Sequence, residues 1–146
     1  MMTGKELAQK TDELFNKRDR AGFKALHHPE VELVTPAGTT LKGPEAATSF
    51  GWALVEAFPD ARMSTNSVIS EGDLVASEMT IEGTHTAPLK DPTGKMPPVP
   101  PTGKKVVIKG AVVLRVKDGL VKEVHVYTDN MAMMAQLGLL PTPTTA

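Results

Sequence analysis

Residues 118–141 read DGLVKEVHVYTDNMAMMAQLGLLP, and in this stretch a strand pattern passes directly into a helix pattern at Asp129. Before that residue side chains alternate with the period of two of a pleated strand, and after it an apolar helix is predicted. Pleating places four polar side chains on one face of the strand: Glu123, His125, Tyr127 and Asp129. If this face lines a cavity, Asp129 is a candidate general base; if it faces water, Asp129 only caps the helix.

The composition excludes several classes of protein. A length of 146 residues predicts one domain over 1–140, with a disordered tail at 141–146. Sixteen basic and seventeen acidic side chains give a net charge of -1 without a basic stripe, which argues against a nucleic-acid partner. The chain has no apolar run long enough to span a bilayer and no apolar signal core, so we expect a cytoplasmic protein without a membrane partner. Without cysteine it has no disulfide, thiolate nucleophile or thiolate metal site.

The first 60 residues carry the start and stop signals of three helices. Thr3 and Glu6 have the spacing of a capping box before the first helix. Asp19 is suited to cap a short second helix. Pro44 fits the first position of a third helix, which Pro59 ends.

After these helices the pattern changes to strands, with one short strand, VELVTP, already present between the second and third helices. Four alternating segments follow, near 61–71, 73–86, 104–117 and 120–128. Short turns between consecutive pairs predict an antiparallel meander. The loop 87–103 holds six of the twelve prolines and cannot join the sheet, so we interpret it as a semi-rigid flap. Helices followed by a curved sheet indicate an α+β fold with the sheet wrapped around the helices and an apolar pocket inside.

Four segments of the C-terminal half form a recognisable series: GTHTAPL at 83–89, PPTGKKV at 100–106, LRVKDGLVKE at 114–123 and DNMAMMAQLGLL at 129–140. The N-terminal half adds RDRAGFKALHHPEVE, GPEAATSF and AFPDARM. Together these segments resemble signatures of the SnoaL-like polyketide cyclase family, within the nuclear-transport-factor-two-like superfamily. The resemblance implies a conical α+β barrel with a deep pocket, commonly dimeric, and a cyclase in which an aspartate is the acid/base for intramolecular aldol ring closure. The matching position is Asp129.

The substrate implied is an apolar small molecule rich in carbonyl groups, and the chemistry needs no cofactor. Aldol closure removes a proton from the carbon beside one carbonyl and protonates the alkoxide formed at another, which one carboxyl group can do. An aspartate in water, with a pKa near about 3.9, is too weak a base for this. Burial against apolar walls would raise the pKa of Asp129 and make it competent.

Six further side chains are candidates for binding or assisting a substrate: His125, Tyr127, His85, Arg115, Trp52 and Met131. His125 stands where many relatives carry a bulky aromatic residue, a departure that puts the substrate class in question. The strand parity of His85 aims it at the cavity, although a surface turn is an equal alternative. Arg115 either lies on a solvated face or pairs with Asp129 and lowers its pKa. No two histidines have the helical spacing of a zinc site, so we predict no metal.

Two other functions remain open. One is a non-catalytic module that binds a small ligand or forms a dimer through the sheet. The other is a limonene-type epoxide hydrolase, which would need two aspartates bridged by an arginine around a water. Arg115 and Asp129 offer only one clear carboxylate for that arrangement. In either case a homodimer is expected from the resemblance.

Overall fold

The computed structural model describes residues 2–140, which form helices α1–α4 and strands β1–β6. The elements are α1 Gly4–Asn16, α2 Arg20–Ala25, β1 His27–Val34, β2 Thr40–Lys42, α3 Pro44–Ala57, β3 Arg62–Glu71, β4 Leu74–Thr84, β5 Lys105–Lys117, β6 Leu120–Thr128 and α4 Asn130–Gln136. The predicted tail at 141–146 lies outside the described residues. In the part of the chain that is described, no helix is long and apolar enough to cross a membrane.

The predicted helix starts are confirmed by their capping contacts. The Thr3 hydroxyl accepts a hydrogen bond from the Glu6 amide at 3.1 Å, and the Glu6 carboxylate accepts one from the Thr3 amide, which completes a capping box. Asp19 caps α2 through the Gly22 amide at 2.9 Å. Pro44 opens α3, where its missing N–H would have had no partner in the helix.

The strands form one sheet in the order β2-β1-β6-β5-β4-β3. The predicted meander from β3 to β6 is confirmed, with antiparallel pairing throughout. Two features were not predicted: β1 pairs parallel to β6, and the three-residue β2 extends the edge beside β1. The α+β class is therefore confirmed, but among the described residues β2 and β3 remain edges, so the curved sheet is open and not a closed barrel.

The helices pack on the concave face of this sheet and share its core. Phe15 and Phe58 are almost fully buried between the two layers. Trp52 packs edge-on against Phe15 and Phe23, with ring centroids 5.8 and 5.1 Å apart. The layers do not meet everywhere, and the space left between them is the cavity described below.

Candidate functional site

A cavity of about 440 Å³ lies between the helices and the concave face of the sheet. That volume falls in the range of small-molecule sites. Its walls are mainly apolar and include Phe50, Leu54, Met63, Met79, Val124 and Met133. The loop 87–103 forms part of the enclosure through side chains such as Leu89 and Val99. An apolar organic molecule is the kind of ligand that these walls fit.

Of the two alternatives left open for the polar face of β6, the structure has the one in which this face does not line the cavity. Val124, Val126 and Thr128 line the cavity, whereas His125, Tyr127 and Asp129 do not. The titratable side chains made the cavity-lining alternative attractive, but they do not decide which face is buried. The valines of the alternate face are the residues that gain most from burial, and they therefore turn inward.

Asp129 is an exposed residue at the N-terminus of α4. Its Oδ1 accepts a hydrogen bond from the Ala132 amide at 2.8 Å, the geometry of a helix cap. Asp129 also lines a shallow depression on the protein surface. This depression shares Pro36, Met79 and Thr128 with the main cavity, so Asp129 lies near the rim of the main cavity. Its role as a general base stays a prediction.

Two other polar candidates, Tyr127 and Arg115, lie on the outer face of the sheet, toward opposite ends of the β5–β6 pair. Tyr127 is 58% exposed and lies in the same depression as Asp129. Arg115 forms ion pairs with Asp73 at 3.2 Å and Glu123 at 3.5 Å, so the expected alternative of a pair with Asp129 is wrong. No arginine of the described residues lines the cavity, and the epoxide-hydrolase arrangement is not formed there.

The candidate His85 is buried but does not line the cavity. Its Nδ1 accepts a hydrogen bond from the Thr102 amide at 3.2 Å, and its backbone pairs with Gly103 and Lys104. Desolvation lowers the pKa of His85, which favours the neutral imidazole. His85 therefore anchors the base of the loop 87–103, a structural role that explains its burial.

Trp52 and Met131 are likewise outside the cavity lining. Trp52 is buried in the aromatic cluster between α1, α2 and α3. Met131 is 72% exposed, and its neighbours Met133 and Met134 line the cavity in its place. Within a seven-residue helix only one stripe faces the core, and Met131 is not on it.

The loop 87–103 is held in place by its own hydrogen bonds. Leu89 and Val99 exchange two backbone bonds of 2.9 Å, which close the loop across its base. At the tip the Asp91 carboxylate accepts bonds from the Thr93 hydroxyl and from the amides of Thr93, Lys95 and Met96, and these bonds lower its pKa. The proline-rich segment thus gives the cavity a defined wall.

Sequence reasoning missed two acidic residues of the cavity lining, Asp91 in the loop 87–103 and Asp12 in α1. The half-buried Asp12 accepts a hydrogen bond from the Thr65 amide at 2.8 Å. Desolvation raises the pKa of Asp12, and the hydrogen bonds from Thr65 oppose that shift. Asp12 shares one helical stripe with Ala8 and Phe15, and this spacing was the signal that could have found it.

His27 is another titratable group in the lining. Its Nδ1 lies 3.3 Å from the Lys24 carbonyl oxygen, so the tautomer that fits carries its proton on Nδ1. Desolvation lowers the pKa of His27 and favours this neutral form. No group of three or more His, Asp or Glu in the described part of the chain is placed to hold a metal ion.

Solved structures similar to this chain share its whole architecture. A candidate SnoaL-like polyketide cyclase from Jannaschia sp. CCS1 has a TM-score of 0.80 at 23% identity, with 94% of this chain and 93% of the other covered. IdmH from Streptomyces antibioticus, described as a candidate polyketide cyclase, has a TM-score of 0.77 at 27% identity, covering 94% and 99%. AclR from Streptomyces galilaeus, described as a candidate hydroxylase, has a TM-score of 0.77 at 24% identity, covering 95% and 87%.

The family assignment rests on the sequence match as well as on the fold. No curated protein matches the chain significantly. Residues 5–137 match the family model described as SnoaL-like polyketide cyclase, which is nearly the whole chain. The protein therefore belongs to the SnoaL-like polyketide cyclase family.

Proposed function

We propose that this protein is a cofactor-independent enzyme that closes a ring in a carbonyl-rich, apolar small molecule by an intramolecular aldol reaction. The observation that carries the proposal is the apolar cavity of about 440 Å³, enclosed by α1, α3, the sheet and the loop 87–103, in a chain of this family. Such a cavity excludes water from a bound chain and holds its reacting carbons close together.

The reaction needs one group that accepts and returns a proton. A base takes the proton from a carbon beside one carbonyl, and the resulting enolate forms a C–C bond to the carbon of a second carbonyl. The electron pair of that C=O bond moves to oxygen, and the alkoxide takes up the proton. A carboxyl group at or beside the cavity is sufficient, and the chain offers Asp12 in the wall and Asp129 near the rim.

The apolar walls would determine which ring forms. Phe50 and Leu54 of α3 line the cavity together with Met79 and Val124 of the sheet. Contacts of this kind favour one folded shape of a flexible chain over the others, and most of the rate acceleration comes from that positioning. The polar lining groups are few, so orientation depends on shape more than on hydrogen bonds.

The test is turnover of a synthetic linear poly-β-ketone ester, followed by liquid chromatography and mass spectrometry. We expect the wild type to accelerate formation of a cyclised isomer. Ala53→Trp should abolish this activity, because Ala53 lines the cavity and the indole would fill it. Ala21→Trp, on the exposed side of α2, is the matched control. Binding of the ester without turnover would contradict the proposal and favour a ligand-binding module.

We also propose a homodimer formed through the outer face of the sheet by a second copy of the chain. Ile69 is 75% exposed there, and Val113 pairs in register with His125 to form a partly exposed centre. The same face carries Lys109 and Glu78, whose opposite charges are available for pairing across a two-fold contact. Light scattering at micromolar concentration should give twice the mass of 15.6 kDa, and Val113→Lys should give the monomer mass. A monomeric wild type would contradict this assembly.

A further inference from the structure

We infer that Asp12 is the catalytic acid/base of the cavity, an assignment that rests on the proposed function. Asp12 lies in α1, on the helical face that contains Ala8 and Phe15 and lines the cavity. Neither the family resemblance nor the chain's sequence motifs point to this residue. The placement of its carboxyl group inside the apolar site does.

The local structure fixes the position of the Asp12 side chain. Strand β3 is an edge strand, so its outward amides lack partners in the sheet. The Thr65 amide donates to Asp12 Oδ2 at 2.8 Å, next to a β-bulge that shifts the register between Thr65 and Ser67. No cation of the described residues lies within 4.0 Å of this carboxylate, in contrast to the ion pairs of the surface. A carboxylate has about four acceptor sites, so Thr65 leaves room for a substrate.

A comparison within α1 separates the structural role from the chemical one. One turn after Asp12, Asn16 covers the same edge of β3: its Nδ2 donates to the Met63 carbonyl at 2.9 Å and its Oδ1 accepts from the Met63 amide at 2.8 Å. An uncharged amide is therefore sufficient to cover this edge. Asn16 does not line the cavity, and Asp12 does. Of these two positions only that of Asp12 can be reached by a molecule in the cavity, and it is the one that carries a carboxyl group.

The other ionisable groups in the lining are less suited to the task. The Asp91 carboxylate oxygens accept hydrogen bonds from amides of the same loop, and these bonds lower the pKa of Asp91. Lys90 carries an amine instead of a carboxyl group, and the pKa of His27 is lowered by burial. Burial instead raises the pKa of Asp12, which makes its carboxylate a stronger base than an exposed one.

The proton balance of the step is simple. The Asp12 carboxylate takes a proton from the carbon beside a carbonyl and becomes a carboxylic acid. The enolate pair forms the new C–C bond to the second carbonyl carbon, whose π pair becomes the alkoxide. The carboxylic acid then gives its proton to that alkoxide, which restores the carboxylate without any other reactant.

The test measures proton removal alone, with 2-tetralone as the probe. In D₂O its protons beside the carbonyl exchange for deuterium, and ¹H NMR follows the loss of their signal. We expect the wild type to accelerate this exchange over buffer, and Asp12→Asn to reduce the acceleration by about 100-fold or more. The asparagine oxygen still accepts the Thr65 amide, so this variant keeps the edge contact. Asn16→Ala, which removes an edge contact outside the cavity, should keep the wild-type rate per folded molecule.

Full exchange activity in Asp12→Asn overturns the assignment, as does a wild type that does not accelerate exchange. Circular dichroism confirms that each variant is folded before rates are compared. The poly-β-ketone assay separates this inference from the proposed function. Cyclisation that is lost in Asp129→Asn and kept in Asp12→Asn overturns the role of Asp12 and leaves the function standing. If deuterium exchange depends on Asp12 but the wild type cyclises no poly-β-ketone, Asp12 is supported as a base and the proposed ring closure is overturned.

Discussion

Replacing Asp129 with alanine tests whether this residue holds α4 in place. The substitution removes one exposed hydrogen bond, the 2.8 Å contact between Oδ1 and the Ala132 amide. A helix of seven residues is not stable alone, so α4 depends on its N-cap, on its buried side chain Met133 and on the buried C-cap residue Leu137. Gln136 adds two bonds to the backbone of Val107, at 2.7 and 3.0 Å. Because these other contacts remain, the loss is that of a single N-cap, about 1 kcal/mol.

Asp129→Asn is the matched variant, because the asparagine oxygen still accepts the Ala132 amide. Its free energy of unfolding should differ from that of the wild type by only a few tenths of a kcal/mol. Urea unfolding followed by circular dichroism measures both variants. With a slope of about 2 kcal/mol/M, the alanine variant should lose about 0.5 M in its midpoint. Wild-type stability in Asp129→Ala would refute the capping interpretation, and so would an equal loss in Asp129→Asn.

Three further predictions concern stability. The first is Asp12→Asn. In the wild type burial raises the pKa of the Asp12 carboxyl group, so the folded state binds more protons than the unfolded state at pH values between the two pKa values. The stability of the wild type therefore falls as the pH rises through this range. The stability of the variant should therefore equal that of the wild type at about pH 3 and exceed it increasingly toward neutral pH, and thermal unfolding across this range would show the difference. His85→Ala should cost about 2 kcal/mol or more in urea unfolding, because it empties a fully buried site and leaves the Thr102 amide without its partner. Met133→Ala should cost about 2–5 kcal/mol in the same assay, since Met133 is buried between α4 and the sheet; no loss would contradict its place in the core.

Local signals made most of the fold predictable. The capping box at Thr3, the cap at Asp19 and the proline at 44 each act within one helical turn, so sequence spacing is sufficient to identify them. The meander is similarly encoded by short turns between alternating segments. The parallel pairing of β1 with β6 joins residues about ninety positions apart, and no local pattern specifies such a contact.

The site was harder to predict because chemistry and burial favoured opposite faces of β6. His125 and Asp129 attract attention as titratable groups, but Val124 and Val126 decide which face turns inward. Asp12 was missed because no motif in the local sequence marks it as a residue that lines a cavity. It stands among polar residues near the start of the chain, and only the folded arrangement of α1 against β3 brings its carboxyl group to the cavity.

The most direct test of the central claim is a crystal structure of the protein with 2-tetralone bound. The claim is that chemistry takes place inside the apolar cavity, at Asp12. We expect the ring system between α3 and the sheet, with the carbonyl oxygen or the adjacent carbon within about 3.5 Å of the Asp12 carboxyl group. A ligand bound instead in the depression beside Tyr127 and Asp129, away from Asp12, would contradict it.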